Sequence, residues 1–307
     1  MSWASRLEKL PSRARAAWAA ATSSTDRLSD DQFVRAAYEI ILRRPVDTTG
    51  LASWIGELQR GDLTRQELSE RLLDSPEFFI SHDGVSHLWA LHLGRCEFAR
   101  RMPAGSRILD LGGTSLGSPD GALVELGYRH RFERLVIVEL PADQRHELYT
   151  DEIRTDVHEG ALGTVEYRYH SMAELDGYEP DSFDLVYSGQ TIEHIDEALG
   201  DQMLAGVARV LAPGGWFVLD TPNGPVCRLH SPEVINPDHK IEYSHAQLTG
   251  KLRDSGFDVV GQYGIGHVPD SVKTGSFSFR ELVANWGVND DPEGSYLLAY
   301  HCRLAGT

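Results

Sequence analysis

From about residue 84 onward, short apolar runs alternate with stretches of helical spacing, and this alternation constrains the fold more than any other feature. SHLWALHLGRCEFARRM reads as a helix, and SRILDL, RLVIVEL, VEYRYH, FDLVYS and GWFVLDT read as strands. An apolar run bounded by turn residues suits a strand, and strands alternating with helices predict a parallel sheet with helices on both faces. The expected fold class is α/β. In such sheets a ligand sits beyond the carboxyl ends of the strands, where the strand order reverses. Those ends are the candidate site.

A different pattern precedes the alternation. In DDQFVRAAYEIILRR, Phe33, Ala37, Ile40 and Ile41 repeat at helical spacing. Asp47 caps a second helix carrying Leu51, Trp54, Ile55 and Leu58, and Gly61 stops it. Thr64 and Glu67 form a capping box for TRQELSERLLD, and Ser75-Pro76 opens a fourth helix at SPEFF. Trp54 and the Arg43-Arg44 pair read as a core tryptophan and solvated charges, with partner recognition as the alternative. The first 27 residues, MSWASRLEKLPSRARAAWAAATSSTDR, carry more basic than acidic side chains. They predict a frayed or partly helical leader, the alternative being a surface-lying amphipathic helix in peripheral membrane contact, interrupted at Pro11. The expected division is a leader at 1–27, a small all-helical module at 28–82 and an α/β domain at 84–307.

Composition excludes several classes. With 41% apolar residues in 307, the chain can bury a proper core and is not expected to be disordered. A formal net charge of -17 repels phosphate backbones, so no nucleic-acid partner is expected. Cys96, Cys227 and Cys302 match no zinc or redox spacing and read as idle or buried thiols in a reducing cytoplasm. No run approaches the roughly 20 apolar residues of a membrane span, and the first residues lack a signal-peptide pattern. The expected location is cytoplasmic.

The strand ends carry the candidate chemistry. SRILDL runs into Asp110-Leu-Gly112-Gly113-Thr114-Ser-Leu-Gly117, a small-residue turn before the helical GALVELG. Glycine permits positive φ and close approach of a ligand to the backbone. Glu139 ends the next run, placed either to accept both hydroxyls of a ribose or as an ordinary exposed acid. After FDLVYSG comes QTIEHI, and a helix beginning there would put Gln190, Glu193 and His194 on one face. They would then either cap and solvate that helix or hold a proton or metal ion beside a substrate. Downstream, NPDHKIEYSHAQLTGKLRDSGF sets His239 before a helix capped by Ser244. Residues 222–240 and 264–280, rich in Gly, Pro, Ser and His, are expected to form acceptor-binding lids. Tyr243, His245, His267 and His230 are reserve candidates for which structural roles are preferred.

Two stretches resemble known families. DQFVRAAYEIILRRPVDTTGLASWIGELQRGDLTRQELSERLLDSPEF resembles the bacterial all-helical domain of unknown function 4214, including its Arg-Pro-x-Asp-x-x-Gly-Leu turn and terminal Ser-Pro-Glu-Phe. Such modules accompany enzymes and secreted proteins of bacterial surface-glycan biology. SFDLVYSGQTIEHIDEALGDQMLAGVARVLAPGGWFVLDTPN resembles class I S-adenosylmethionine-dependent methyltransferases, in the branch shared by ubiquinone-pathway and sugar O-methyltransferases. Pro213-Gly214-Gly215 is the turn into the fifth strand in that family, and the likeness extends from about residue 85 to residue 304.

The resemblance implies a Rossmann-like, seven-stranded, mostly parallel sheet whose last strand is antiparallel, and S-adenosylmethionine as cofactor. It implies that Asp110, Gly112 and Gly113 line the methionine part, with Thr114 offering a hydroxyl, and that Glu139 holds the ribose. Ser171 and Met172 would flank the adenine, and Ser188, Gly189 and Gln190 would close the pocket under the sulfonium. The first loop departs from the family's alternating glycines, since Thr114 and Leu116 occupy two such places and Gly117 comes one place late. A nicotinamide-binding Rossmann domain is the structural competitor, but it would not predict APGGWFVLDTPN.

In small-RNA 2′-O-methyltransferases and ubiquinone-pathway relatives, a Glu-x-x-Glu-His helix start and a later His gather a divalent cation. Here Gln190 stands where the first Glu would, leaving Glu193, His194 and His239 as the implied metal ligands. One carboxylate fewer weakens attraction for Mg2+, so the remainder suits a transition metal, or else His194 and His239 act as bare bases near their ordinary pKa of about 6.5. The expected activity is O-methylation of a saccharide hydroxyl in a glycan, glycolipid or glycosylated metabolite. A small phenol or quinone-like acceptor, and a non-catalytic cofactor-binding scaffold, are the alternatives.

Overall fold

The computed structural model describes residues 28–42, 44–73, 75, 86–115, 117–144, 157–229, 238–268, 270–273 and 285–306. The chain divides into two units, residues 1–90 and 91–307. The leader at 1–27, Arg43, the SPEFF helix beyond Ser75, and His230 lie outside the described residues.

Helices of the first unit begin where side-chain oxygens replace missing backbone partners. Ser29 caps α1 (Asp30–Ala37) by accepting from the Gln32 amide, while Gln32 accepts from the Ser29 amide. A π-helical turn, Tyr38–Leu42, continues it. Asp47 accepts from Gly50 N at 2.8 Å to start α2 (Thr48–Arg60), and Gly61, at φ 75°, ends it. Thr64 and Glu67 bond reciprocally before α3 (Arg65–Leu73). Phe33, Val34, Ala37, Ile41, Leu51 and Leu68 form the core. Trp54 packs against it and donates its indole N–H to the Tyr38 hydroxyl at 2.8 Å, so the tryptophan faces inward.

The chain then runs through α4 (Ser86–Arg101), β1 (Arg107–Leu111), α5 (Ala122–Glu125), β2 (Arg134–Glu139), β3 (His158–Glu159), β4 (Thr164–Tyr169), β5 (Phe183–Gly189) and α6 (Glu197–Val210). It continues through β6 (Leu211–Pro222), α7 (Gly224–Cys227), α8 (His245–Asp254), β7 (Phe257–His267), α9 (Asp270–Lys273), β8 (Val288–Asn289) and β9 (Ser295–Leu304). The sheet order is β3-β4-β2-β1-β5-β6-β9-β7-β8. Strands β4, β2, β1, β5 and β6 pair in parallel, and β9 inserts antiparallel between β6 and β7. Four of the five residues of β1 are buried, as covering both faces of a parallel sheet requires. The α/β class and the antiparallel last strand agree with the sequence. Among the described residues the sheet has nine strands and not the expected seven, because β3 and β8 are two-residue strands pairing antiparallel at opposite edges. A pairing of two residues satisfies open edge groups but is too short to leave a hydrophobic pattern.

The core joins strand residues such as Leu109, Val136, Val186 and Phe217 to Met203, Leu204 and Val207 of α6 and to Leu248 and Leu252 of α8. Pro213-Gly214-Gly215 lies at the start of β6, where the pairing with β5 shifts register and Gly214 adopts φ 72°. The lid expectation is corrected at its described ends: Pro222 belongs to β6, α7 follows it, and residues 264–267 belong to β7. Residues 230–237 and 274–280 lie outside the described residues. Cys96, Cys227 and Cys302 are buried free thiols. Among the described residues no helix is long and apolar enough to cross a membrane.

Candidate functional site

Strand order reverses between β1 and β5, because β2 and β4 extend the sheet on one side of β1 and β5 and β6 on the other. At the end of β1, the carboxyl of Asp110 is buried, and Gly112 turns at φ 76° while donating to Val138 O of β2 at 2.7 Å. A Cβ on Gly112 would come within 2.5 Å of Thr191 Cγ2, and one on Gly113 would collide with the Asp110 carboxylate. Both glycines are therefore needed where the loop is folded over its own strand and under the loop after β5. Asp110 Oδ2 and Thr114 Oγ1 are buried and have no hydrogen-bond partner among the described residues. Buried polar atoms are ordinarily paired, so two orphans in one turn fit a turn that receives a ligand. Burial pushes the Asp110 carboxyl up to about 7, against the lowering effects of a bond from the Leu123 backbone and the Arg95 charge. Gly117 faces elsewhere: its N–H donates to Ser115 Oγ, and a Cβ there would meet Glu125.

Glu139 ends β2, and one of its oxygens accepts from Leu140 N at 2.8 Å. Ser171 and Met172 follow β4; the Ser171 hydroxyl accepts from Ala173 N at 3.2 Å, and Met172 packs against the core. Ser188 is buried at the end of β5 with its hydroxyl 2.6 Å from that of Thr191. The parallel pairing of β4, β2, β1 and β5 sets these residues along one carboxyl edge of the sheet.

Gln190 does not start a helix, which corrects the shared-face expectation. It lies in the left-handed region at φ 58°, Ile192–His194 form a single 3-10 turn, and Ile195 is extended. Helix α6 begins only after Asp196, whose side chain accepts from Leu199 N. A left-handed residue cannot continue a right-handed helix. Gln190 is bound instead to Asp220 of β6, its N–H donating to the carbonyl at 2.8 Å and its amide nitrogen to Oδ2 at 2.9 Å. Asp220 is 0% exposed and also accepts from Tyr187 OH at 2.6 Å and from Arg95 Nε of α4 at 2.7 Å. Burial opposes the Arg95 charge, yet Asp220 and Tyr187 hold its pKa above the ordinary guanidinium value. A Cβ on Gly189 would strike the Tyr187 hydroxyl, so this glycine leaves room for the network. Sequence reasoning missed Arg95, Tyr187 and Asp220. The one available signal was an aspartate inside the apolar run WFVLDTP.

Beyond β5 and β6, Glu193, His194 and His239 each offer one ligand atom, and these atoms lie within 4.8 Å of one another. Backbone pairing brings them together: the Glu193 carbonyl accepts from Lys240 N at 2.7 Å and from Ile241 N at 3.2 Å. Glu193 is 0% exposed, with Oε2 accepting from Thr221 Oγ1 at 2.9 Å and Oε1 unpaired among the described residues. Burial pushes its carboxyl up to about 8. The His194 and His239 rings meet edge to face at 4.9 Å, and burial, then the neighbouring His239, lowers the His194 pKa. His239 Nδ1 lies 2.8 Å from Glu242 Oε1, and Arg228 binds Glu242 Oε2. Two imidazoles, one carboxylate and an unpaired Oε1 fit a transition metal better than Mg2+. They equally fit a pair of imidazole bases.

The three described reserve residues stay outside this cluster: Tyr243 is buried in the core, His245 bonds Tyr300 OH at 2.8 Å, and His267 pairs with Asp291 at 3.2 Å. A groove of about 860 Å³ lined from α6 and α8 contains none of the three clustered residues.

Residues 115–219 match the family model described as a methyltransferase domain, and residues 15–81 match the model of a domain of unknown function, DUF4214. The chain is similar to a probable S-adenosylmethionine-dependent methyltransferase of Mycolicibacterium smegmatis, 38% identical over 105 residues, covering 34% of this chain and 39% of that protein. It is also similar to one of Mycobacterium tuberculosis, 35% identical over 126 residues, covering 38% of this chain and 44% of that protein. The chain thus spans less than half the length of these relatives. A SAM-dependent methyltransferase structure from Thermotoga maritima is 16% identical, with a TM-score of 0.47, over 70% of this chain and 89% of that one. The second unit has the mixed α/β methyltransferase fold.

Proposed function

We propose that this chain is an S-adenosylmethionine-dependent O-methyltransferase acting on a saccharide hydroxyl of a glycan, glycolipid or glycosylated metabolite. In this reading it belongs to the ubiquinone-pathway and sugar branch, with residues 84–307 catalytic, residues 28–82 a companion module and residues 1–27 a leader. The observation that carries the reading is the gathering of Glu193, His194 and His239 beyond strand ends whose own buried atoms, Asp110 Oδ2 and Thr114 Oγ1, have no partner among the described residues.

When bound, the donor supplies an electrophilic methyl carbon on a sulfonium centre. Asp110, Gly112, Gly113 and Thr114 hold its methionine part, Glu139 its ribose, and Ser171 and Met172 its adenine, while Ser188, Gly189 and Gln190 close the pocket. Holding donor and acceptor in line supplies much of the rate. A hydroxyl with a pKa near 15 must lose its proton as the new oxygen–carbon bond forms. His194, whose lowered pKa keeps it neutral at pH 7, takes that proton, with the His239 ring beside it as a second base. A second reading, favoured by a Glu193 Oε1 without a partner among the described residues, is that the three residues would hold a transition metal, which would acidify the hydroxyl.

The saccharide acceptor is supported by the net charge of -17, which disfavours RNA, and by the glycan setting of modules like the helical one. A cytoplasmic site of action is supported by three cysteines that remain free thiols.

Titration calorimetry with S-adenosylmethionine and its demethylated product is expected to show binding of both, and absence of heat would overturn the donor assignment. His194→Ala is expected to lower turnover about 100-fold or more while leaving donor affinity within several-fold. Unchanged turnover would remove His194 from the mechanism. Activity lost to a chelator and restored by a transition metal would select the second reading. Transfer to phenols but not to pooled sugars would displace the acceptor class.

A further inference from the structure

We infer that Glu242 is a positioning residue, which fixes His239 as the Nδ1–H tautomer and leaves its Nε2 lone pair for the cluster with Glu193 and His194. The inference rests on the reading of those three residues as the acceptor-activating group.

His239 Nδ1 lies 2.8 Å from Glu242 Oε1, with the histidine side chain 10% and the glutamate side chain 0% exposed. A carboxylate only accepts, so the proton of a neutral His239 sits on Nδ1 and Nε2 is bare. Glu242 cannot easily swing away, because its second oxygen is held by Arg228 Nη1, which also donates to Gly224 O at 3.0 Å. Its backbone is pinned as well: a Cβ on Gly224 would collide with the Glu242 carbonyl, and Gly224 N donates to Tyr243 O at 2.9 Å. On the other side, Lys240 N and Ile241 N bind the Glu193 carbonyl, so the segment carrying His239 is registered against the turn carrying Glu193 and His194.

A purely structural role would not call for this arrangement. Burying a carboxylate to pair with a guanidinium is often no more stabilising than apolar packing of the same volume. A carboxylate hydrogen-bonded to one imidazole nitrogen does something packing cannot: it chooses the tautomer, holds the ring plane and raises the basicity of the opposite nitrogen. That nitrogen is the one a metal or an acceptor proton would meet.

The test uses long-range 1H–15N correlation spectra of the full chain above neutral pH, with the His239 signals assigned by comparison with His239→Asn. The wild type is expected to show a protonated Nδ1 and a bare Nε2 at His239. Glu242→Gln keeps an accepting oxygen and is expected to retain that pattern and most of the turnover. Glu242→Leu is expected to lose it, with kcat lowered about 10–100-fold at unchanged donor affinity. A wild-type His239 protonated at Nε2, or a folded Glu242→Leu with unaltered tautomer and turnover, would overturn the inference. If Glu242→Leu fails to fold, the wild-type spectrum alone decides. If the tautomer is as expected but His194→Ala and His239→Ala both transfer methyl groups normally, it is the functional reading that fails and not the hydrogen bond.

Discussion

At the scale of single residues, the site is marked by acids kept where their charge is unfavourable. Burial raises the Asp110 carboxyl from 3.8 to about 7, so between these values the folded chain holds a proton that the unfolded chain has lost. This group's contribution to stability is therefore unchanged below about pH 4, falls as pH rises toward 7, and is constant beyond. Thermal melts of the protein without donor are expected to show that slope, extended by Glu193 up to about 8. Asp110→Asn is expected to flatten it, becoming relatively more stable by roughly 1–4 kcal/mol at pH 7. Identical pH profiles for the two proteins would refute the buried acid. Asp110, Glu139, Glu193, His194 and His239 could be named from the sequence because the stretches that carry them resemble methyltransferase motifs and lie near the ends of apolar runs or beside a capped helix. What each is bonded to could not, since Gln190 occupies a ligand's place in the motif while its amide is committed to Asp220.

At the scale of elements, the Arg95–Asp220 ion pair joins α4 to β6 across 125 residues of sequence. Arg95 is only 18% exposed, so Arg95→Ala would leave a fully buried carboxylate without its cation. The expected cost is about 3–5 kcal/mol, read as a fall in the urea midpoint, with part recovered in the double variant carrying Asp220→Asn. Gly112→Ala tests how the loops meet, because it forces a left-handed residue and pushes on Thr191 of the neighbouring loop. It is expected to lower donor affinity at least about tenfold in calorimetry while circular dichroism still reports a folded protein. The strands were legible because a parallel sheet buries both faces, leaving nearly unbroken apolar runs. The helix start at Gln190 was misread because the spacing of three polar residues says nothing about a left-handed backbone held by a distant aspartate.

At the scale of the whole molecule, every residue assigned to the donor lies in residues 91–307. Removing residues 1–83 is accordingly expected to leave donor affinity within several-fold in calorimetry. A larger loss would assign the helical unit a part in donor binding. The amino-acid sequence by itself determined the order of helices and strands, the capped helix starts, the small-residue turn after β1 and the acids and histidines that follow strand ends. These depend on neighbours a few residues apart, where backbone geometry and side-chain spacing act directly. Only the tertiary structure decided which charge neutralises Asp220, which turn Gln190 adopts, and which oxygen holds His239. Those outcomes depend on pairings between distant segments, and in a buried site the free energy of a polar group is set by the one partner that reaches it.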